Sequence, residues 1–153
     1  MKQTTIKNEI TISGVGLHTG QKVNMTFCPA PENHWYKFQR IDLEGKPIVD
    51  ADVDNVVDTS RGTTIEQNGA RIYTVEHVLA ALVGLEIDNC LVKMDGPEPA
   101  ILDGSSIQFM EQLEKAGIKE LDADREYFSV PQNIYYHEQD RGVEVIAMPL
   151  DDY

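Results

Sequence analysis

Apolar and polar positions alternate over residues 4–12, where Glu9 and Thr11 interleave with Ile6, Ile10 and Ile12, and the spacing predicts a strand. Residues 22–28 alternate again, with Val23, Met25 and Phe27 on one face. Between them lies Ser13-Gly14-Val15-Gly16-Leu17-His18-Thr19-Gly20, so the two strands read as a hairpin-like pair with an elaborate turn. Pro29-Ala30-Pro31-Glu32-Asn33 interrupts the ladder, because proline has no amide to donate. Residues 35–41 form a third strand pattern. Residues 50–57 fit either a short strand or a turn of helix. Residues 63–66 and 70–73 flank Asn68-Gly69, a pair suited to a two-residue hairpin. Residues 89–94 read as a buried strand.

Two stretches have helical spacing instead. In Thr74-Val75-Glu76-His77-Val78-Leu79-Ala80-Ala81-Leu82, the residues Val75, Val78, Leu79 and Leu82 fall on one stripe, with Val83 at its edge. His77 lies opposite, flanked by Ala80, Ala81 and Gly84. That second face is small rather than polar, so the helix is expected to be covered on both sides. Thr74 reads as its N-cap, and Glu76 sits where the helix dipole favours an anion. A second helix opens at Ser105 and ends near Gly117, a natural C-terminal cap. Its stripe is Phe109, Met110, Leu113 and Ala116. Its other face carries Glu111, Gln112, Glu114 and Lys115, so one side only is expected to be covered.

These elements predict an α/β chain of the α+β two-layer type over residues 1–125, a mostly antiparallel sheet with helices on one face. Residues 121–126 are charged and linker-like. Strand patterns over residues 127–136 and 143–148 follow, joined through Asp140-Arg141-Gly142. An antiparallel pair alone is marginal in water. Residues 126–153 are therefore expected to be the first strands of a second, truncated unit. No repeat of solenoid period and no low-complexity tract is present.

The 153 residues, 41% of them hydrophobic, suffice for one ordinary domain with a core. The 26 acidic and 13 basic residues give a formal charge of −13, which argues against nucleic acid or an anionic membrane surface as the main partner. Met1-Lys2-Gln3-Thr4-Thr5 has no apolar run behind it, so neither a signal peptide nor a membrane span is expected. Cys28 and Cys90 form no CxxC pair and are expected to be buried and reduced in a cytoplasmic protein.

Several residues carry candidate chemistry. Gly14, Gly16 and Gly20 resemble a phosphate cradle, but that motif needs a helix after it and a strand follows here. The glycines are expected to supply left-handed backbone in a turn, with His18 at the tip as a cleft-lining residue. Asp95, Glu98 and Asp103 offer the carboxylates of a glycosidase, although spacing in a proline-rich loop fixes no separation. Asp103 before Gly104 reads better as a cap or turn residue. Glu76 and His77 fit metal-assisted hydrolysis, in which an imidazole holds zinc and a neighbouring carboxylate takes a proton from water. Catalytic zinc needs three protein ligands, and neither a second nor a third is evident. His34 and His137 read as solvated. A lone histidine in a first helical turn is also commonly a solvated or core residue.

Four motifs together carry a family resemblance: the stretch from Ser13 to Gly20, the stretch from Thr74 to Leu82, Gly84-Leu85-Glu86-Ile87-Asp88-Asn89, and Gly96-Pro97-Glu98-Pro99-Ala100-Ile101-Leu102-Asp103-Gly104-Ser105. In order and spacing they resemble the zinc-dependent UDP-3-O-acyl-N-acetylglucosamine deacetylases of lipid A biosynthesis. The resemblance implies a soluble cytoplasmic hydrolase of two similar domains, whose helices meet between the two sheets. It implies a UDP-linked acylated glucosamine as substrate, with no nucleic-acid partner and no membrane-embedded segment. It implies Glu76 as general base and His77 as a zinc ligand, with His18 and Asp103 near the substrate cleft. The other zinc ligands and a further histidine belong to a second domain against which this one packs. The fragment is therefore expected to be inactive alone, its His77 imidazole solvent-exposed and metal-free. Some proteins of this kind are fused to a 3-hydroxyacyl-acyl-carrier-protein dehydratase. The competing reading is a non-catalytic acidic α/β interaction module in which Glu76 and His77 merely begin a helix.

Overall fold

The computed structural model describes residues 1–150. Its centre is a five-stranded sheet made of β2 (Ile10–Val15), β3 (Lys22–Pro29), β4 (Tyr36–Arg40), β5 (Ile48–Asp50) and β9 (Cys90–Met94), in the order β2-β3-β9-β4-β5. All pairings are antiparallel except β4 with β9, which run parallel. The alternation in β3 sets its two faces: Val23, Met25 and Phe27 are buried, while Asn24 is exposed and Thr26 half-buried. Phe38 on β4 and Val92 and Met94 on β9 extend the same apolar face.

Three further strands, β6 (Val56–Asp58), β7 (Thr64–Gln67) and β8 (Ala70–Ile72), form an antiparallel meander. The β7–β8 turn is Asn68-Gly69, with φ of 53° and 76°, as the hairpin signal requires. Residues 50–57, ambiguous in sequence, divide among the end of β5, a 3-10 turn at Val53–Asn55 and the start of β6. Arg40 is the charged exception on the core face. It is held by both carboxylate oxygens of Asp42, at 2.9 and 2.7 Å, and donates to the Arg71 carbonyl at 2.9 Å, tying the meander to the main sheet.

The two helices are α1 (Glu76–Gly84) and α2 (Ile107–Ala116). Val78, Ala81 and Leu82 of α1 and Phe109, Leu113 and Ala116 of α2 join the sheet in one core. The Phe27 and Phe109 rings sit 6.3 Å apart and tilted, which places α2 over β3. The chain is thus an α+β fold of mostly antiparallel sheets with two helices.

Local pattern misled in three places. The strand expected over residues 4–12 is two, β1 (Lys2–Ile6) and β2, because the backbone at Lys7 and Asn8 turns away to bond the carbonyls of Gly117 and Ala116 at the end of α2. The charged stretch at 121–126 lies mostly within a strand, β10 (Ile118–Asp124), which pairs antiparallel with β1. Its acidic side chains are exposed, and Asp124 meets Lys2 at 2.9 Å. Of the strand pattern over residues 127–136, only the end is extended, as β11 (Ile134–Glu138), which pairs with β12 (Val143–Ala147) and, among the described residues, with no other strand. The ribbon exposes apolar side chains, Tyr135 at 69% and Val145 at 55%. Residues 151–153, the end of the expected second unit, lie outside the described residues. Cys28 and Cys90 are buried free thiols, and burial pushes Cys90 up to about 12. Among the described residues no helix is long and apolar enough to cross a membrane.

Candidate active site

The first turn of α1 is built differently from its sequence reading. Thr74 is not the cap: α1 opens after Val75 without a side-chain cap hydrogen bond, and Thr74 takes a left-handed φ of 55°. Its hydroxyl points to the next loop and donates to Glu98 Oε1 at 2.9 Å. Glu76 faces the segment before β7, where its Oε2 accepts the Thr63 amide at 3.0 Å. Gly62 is left space for that carboxylate, since a Cβ there would stand 3.0 Å from Glu76 Oε1.

His77 is half-buried rather than open. The turn that starts α2 docks beside it, and the Ser106 hydroxyl donates to the His77 carbonyl at 3.1 Å. Asp103 shapes that turn: its Oδ1 accepts the amide and the hydroxyl of Ser105 at 3.0 and 2.9 Å. The Ser105 amide holds the Asp103 carboxyl below the usual carboxylate range, with its hydroxyl adding to the effect. Of the small face, Ala80 and Gly84 are exposed, but α2 covers one edge of it, where a Cβ at Gly84 would stand 3.4 Å from Met110 Cε; Val83, placed at the edge of the apolar stripe from the sequence, is 63% exposed. Ala81, assigned to the small face from the sequence, is buried instead.

His18 is exposed at the tip of its loop, its Nε2 3.0 Å from the Arg61 carbonyl. It lines a pocket of about 190 Å³ together with Arg61, Gly62, Tyr73 and Thr74. The segment from Arg61 to Thr63 therefore contacts His18 on one side and Glu76 on the other. His77 and Asp103 do not line this pocket.

The glycine loop owes its shape to close approach more than to left-handed backbone. Of its three glycines only Gly20 has positive φ, at 64°. A Cβ at Gly14 would stand 2.6 Å from that of Ala100, and one at Gly16 would stand 2.5 Å from Glu98 Oε2. Glu98, which the sequence offered only as a candidate glycosidase carboxylate, is the residue that holds this loop. It is 1% exposed and accepts the His18 amide at 3.0 and 3.1 Å and the Thr19 amide at 2.7 Å, besides the Thr74 hydroxyl. Burial works to raise its carboxyl, but the amides of Thr19 and His18 and the hydroxyls of Thr19 and Thr74 outweigh it and hold it below the usual range. The sequence offered only that it is an acidic residue between two prolines, Pro97 and Pro99, which does not tell a buried glutamate from an exposed one. The glycosidase reading loses its carboxylates, since Asp95 accepts the amide and side chain of Asn24 at 2.7 Å each, Glu98 is spent on the glycine loop and Asp103 on Ser105.

The α+β chain sets the Glu76 carboxylate and the His77 imidazole side by side at the start of α1, with the His18 imidazole at a neighbouring pocket. The family model for UDP-3-O-acyl N-acetylglycosamine deacetylase matches residues 3–153, and the chain belongs to that family. It is 44% identical to the bifunctional enzyme LpxC/FabZ of Bacteroides thetaiotaomicron over 153 residues, all of this chain and 33% of that protein. The corresponding enzyme of Chlorobaculum tepidum is 47% identical over 151 residues, 99% of this chain and 32% of that protein. The UDP-3-O-acyl-N-acetylglucosamine deacetylase of Methylococcus capsulatus is 42% identical over 141 residues, 92% of this chain and 46% of that protein. The chain thus spans from about a third to about half the length of these relatives.

Proposed function

We propose that this chain is the part of a UDP-3-O-acyl-N-acetylglucosamine deacetylase that brings the general base and one zinc ligand to the substrate. The observation that carries the reading is family membership over residues 3–153, with Glu76 and His77 adjacent in the first turn of α1. The reaction is amide hydrolysis in lipid A biosynthesis. Water adds to the acetamide carbonyl, the C–N bond breaks, and acetate and the free sugar amine leave. Glu76 accepts the proton that water loses, its carboxylate steadied by the Thr63 amide. His77 supplies one imidazole toward zinc. Zinc, when bound, acts as a Lewis acid that makes water a nucleophile at neutral pH. His18 lines the substrate cleft, and Asp103 supports it by fixing the turn whose Ser106 docks on α1.

Among the described residues no group of three or more His, Cys, Asp or Glu side chains is arranged to hold a metal ion. One imidazole fits a three-ligand site only as a share of it, so on this reading the remaining ligands come from further chain. The exposed Ala80 and Val83 of α1 and Ile107 of α2 support a second layer packed there. The reading includes a cytoplasmic location; it holds equally for a parent fused to a second enzyme, as in the bifunctional LpxC/FabZ relatives, and for an unfused one, as in the relative from Methylococcus capsulatus.

Acetate release from UDP-3-O-acyl-N-acetylglucosamine is the test. The full-length protein is expected to release acetate with zinc bound, and residues 1–153 alone to release none. A full-length protein that binds zinc but leaves this substrate intact would overturn the reading, and so would a fully active 1–153.

A further inference from the structure

We propose that Glu98 is a positioning residue of the deacetylation site, a buried anionic clasp that fixes His18 relative to the start of α1. The inference rests on the deacetylase reading and deepens it. Three segments meet at this one carboxylate. Oε1 accepts the His18 amide at 3.0 Å and the Thr74 hydroxyl at 2.9 Å; Oε2 accepts the Thr19 amide at 2.7 Å and shares the His18 amide at 3.1 Å. The bonds to His18 and Thr19 are made to main-chain atoms, so they set where the loop carries the His18 ring. Thr74 stands two residues before Glu76 in a left-handed conformation, so the bond to its hydroxyl sets where α1 begins.

The clasp is fitted and not incidental. Gly16 gives it room, since any Cβ there would stand 2.5 Å from Oε2. Pro99 and Ala100 are buried beside it, and Ala100 meets Gly14 across the loop. A carboxylate this buried is stable only with its hydrogen bonds made, so breaking them lets both the loop and the helix start relax. The ring of His18 is held at its outer end by the Arg61 carbonyl, and Glu76 by the Thr63 amide two residues on. Glu98 thus governs one side of a frame whose other side is the segment from Arg61 to Thr63. A displacement of about 1 Å at a positioned group can cost about 100-fold in rate.

The test uses the full-length zinc-loaded protein and compares wild type, Glu98→Gln, His18→Ala and the double variant. Glu98→Gln is expected to lower kcat/KM about 100-fold, with zinc content unchanged. In the His18→Ala background, the same substitution is expected to cost about 10-fold rather than about 100-fold, because of the two elements it positions only the start of α1 remains. Hydrogen exchange of the peptide covering residues 14–20 is expected to speed at least about tenfold in Glu98→Gln. Should that variant fail to fold, Thr74→Val decides: it removes one donor and is expected to lower kcat/KM about 5-fold, again less so without His18. Equal losses with and without His18, or unchanged exchange over residues 14–20, would overturn the proposal. Failure of the wild type to release acetate would overturn the deacetylase reading instead, so the two failures are distinct.

Discussion

Replacing Glu98 by glutamine should destabilise the chain by an amount that the geometry allows to be worked out. The carboxylate accepts from three donors, the amides of His18 and Thr19 and the Thr74 hydroxyl. A glutamine of the same shape keeps one acceptor oxygen. With that oxygen toward His18 and Thr74, its NH2 faces the Thr19 amide, now 2.7 Å away donor to donor. One charge-assisted bond, worth about 1.5–3 kcal/mol, is lost, and the remaining ones weaken with the charge. A net loss of about 2–4 kcal/mol follows, and at about 2–4 °C per kcal/mol for a domain of this size Tm should fall by roughly 4–16 °C at pH 7. The pH dependence gives a second handle. Glu98 has its folded-state carboxyl held below the ordinary range. Its contribution is therefore fully present above the unfolded carboxylate pKa of about 4.3 and is lost as pH falls through the lower folded value. Circular-dichroism melts of wild type and Glu98→Gln from pH 7 to pH 3 should show the gap in Tm narrowing below pH 4. A gap under 1 °C at pH 7, or one that stays constant down to pH 3, would refute the assignment of Glu98 as a stabilising buried anion.

Other outcomes follow from single features. Phe109→Ala removes a fully buried ring tilted against Phe27, and should cost about 3–5 kcal/mol in urea titrations with an unchanged m-value. Gly16→Ala should cost about 1–3 kcal/mol by crowding Glu98 Oε2 and the Thr19 hydroxyl, read as a lowered Tm, whereas Gly69→Ala meets no atom and should lose only what its φ of 76° demands. His77→Ala in the full-length protein should lower zinc content per chain, measured by elemental analysis after dialysis, at least about tenfold.

The parts of the fold legible in the sequence are those where burial has a simple period. Val23, Met25 and Phe27 mark the core face of β3, and Phe109, Leu113 and Ala116 mark the stripe of α2, because one face of each element meets the core. Asn68-Gly69 needed only local stereochemistry. Legibility failed where a distant partner decided the backbone. Lys7 and Asn8 break a good strand pattern to bond the end of α2, and Thr74 abandons a cap position for Glu98, 24 residues onward. The charged face of β10 hid an edge strand, since an exposed edge carries the same acidic residues a linker would. Glu76 and His77 stood out as a carboxylate beside an imidazole at a helix start. The four-motif resemblance, and not periodicity, pointed to the family to which the chain belongs. Glu98 stayed hidden because a buried and an exposed glutamate look alike until the loop that closes over them is known.

The central claim is that Glu76 takes the proton from the attacking water while His77 holds metal. Glu76→Gln in the full-length zinc-loaded protein addresses it, with acetate release and zinc content measured on the same sample. The account predicts that turnover falls at least about 100-fold while zinc stays bound. Turnover within about twofold of wild type, at equal zinc content, would contradict it.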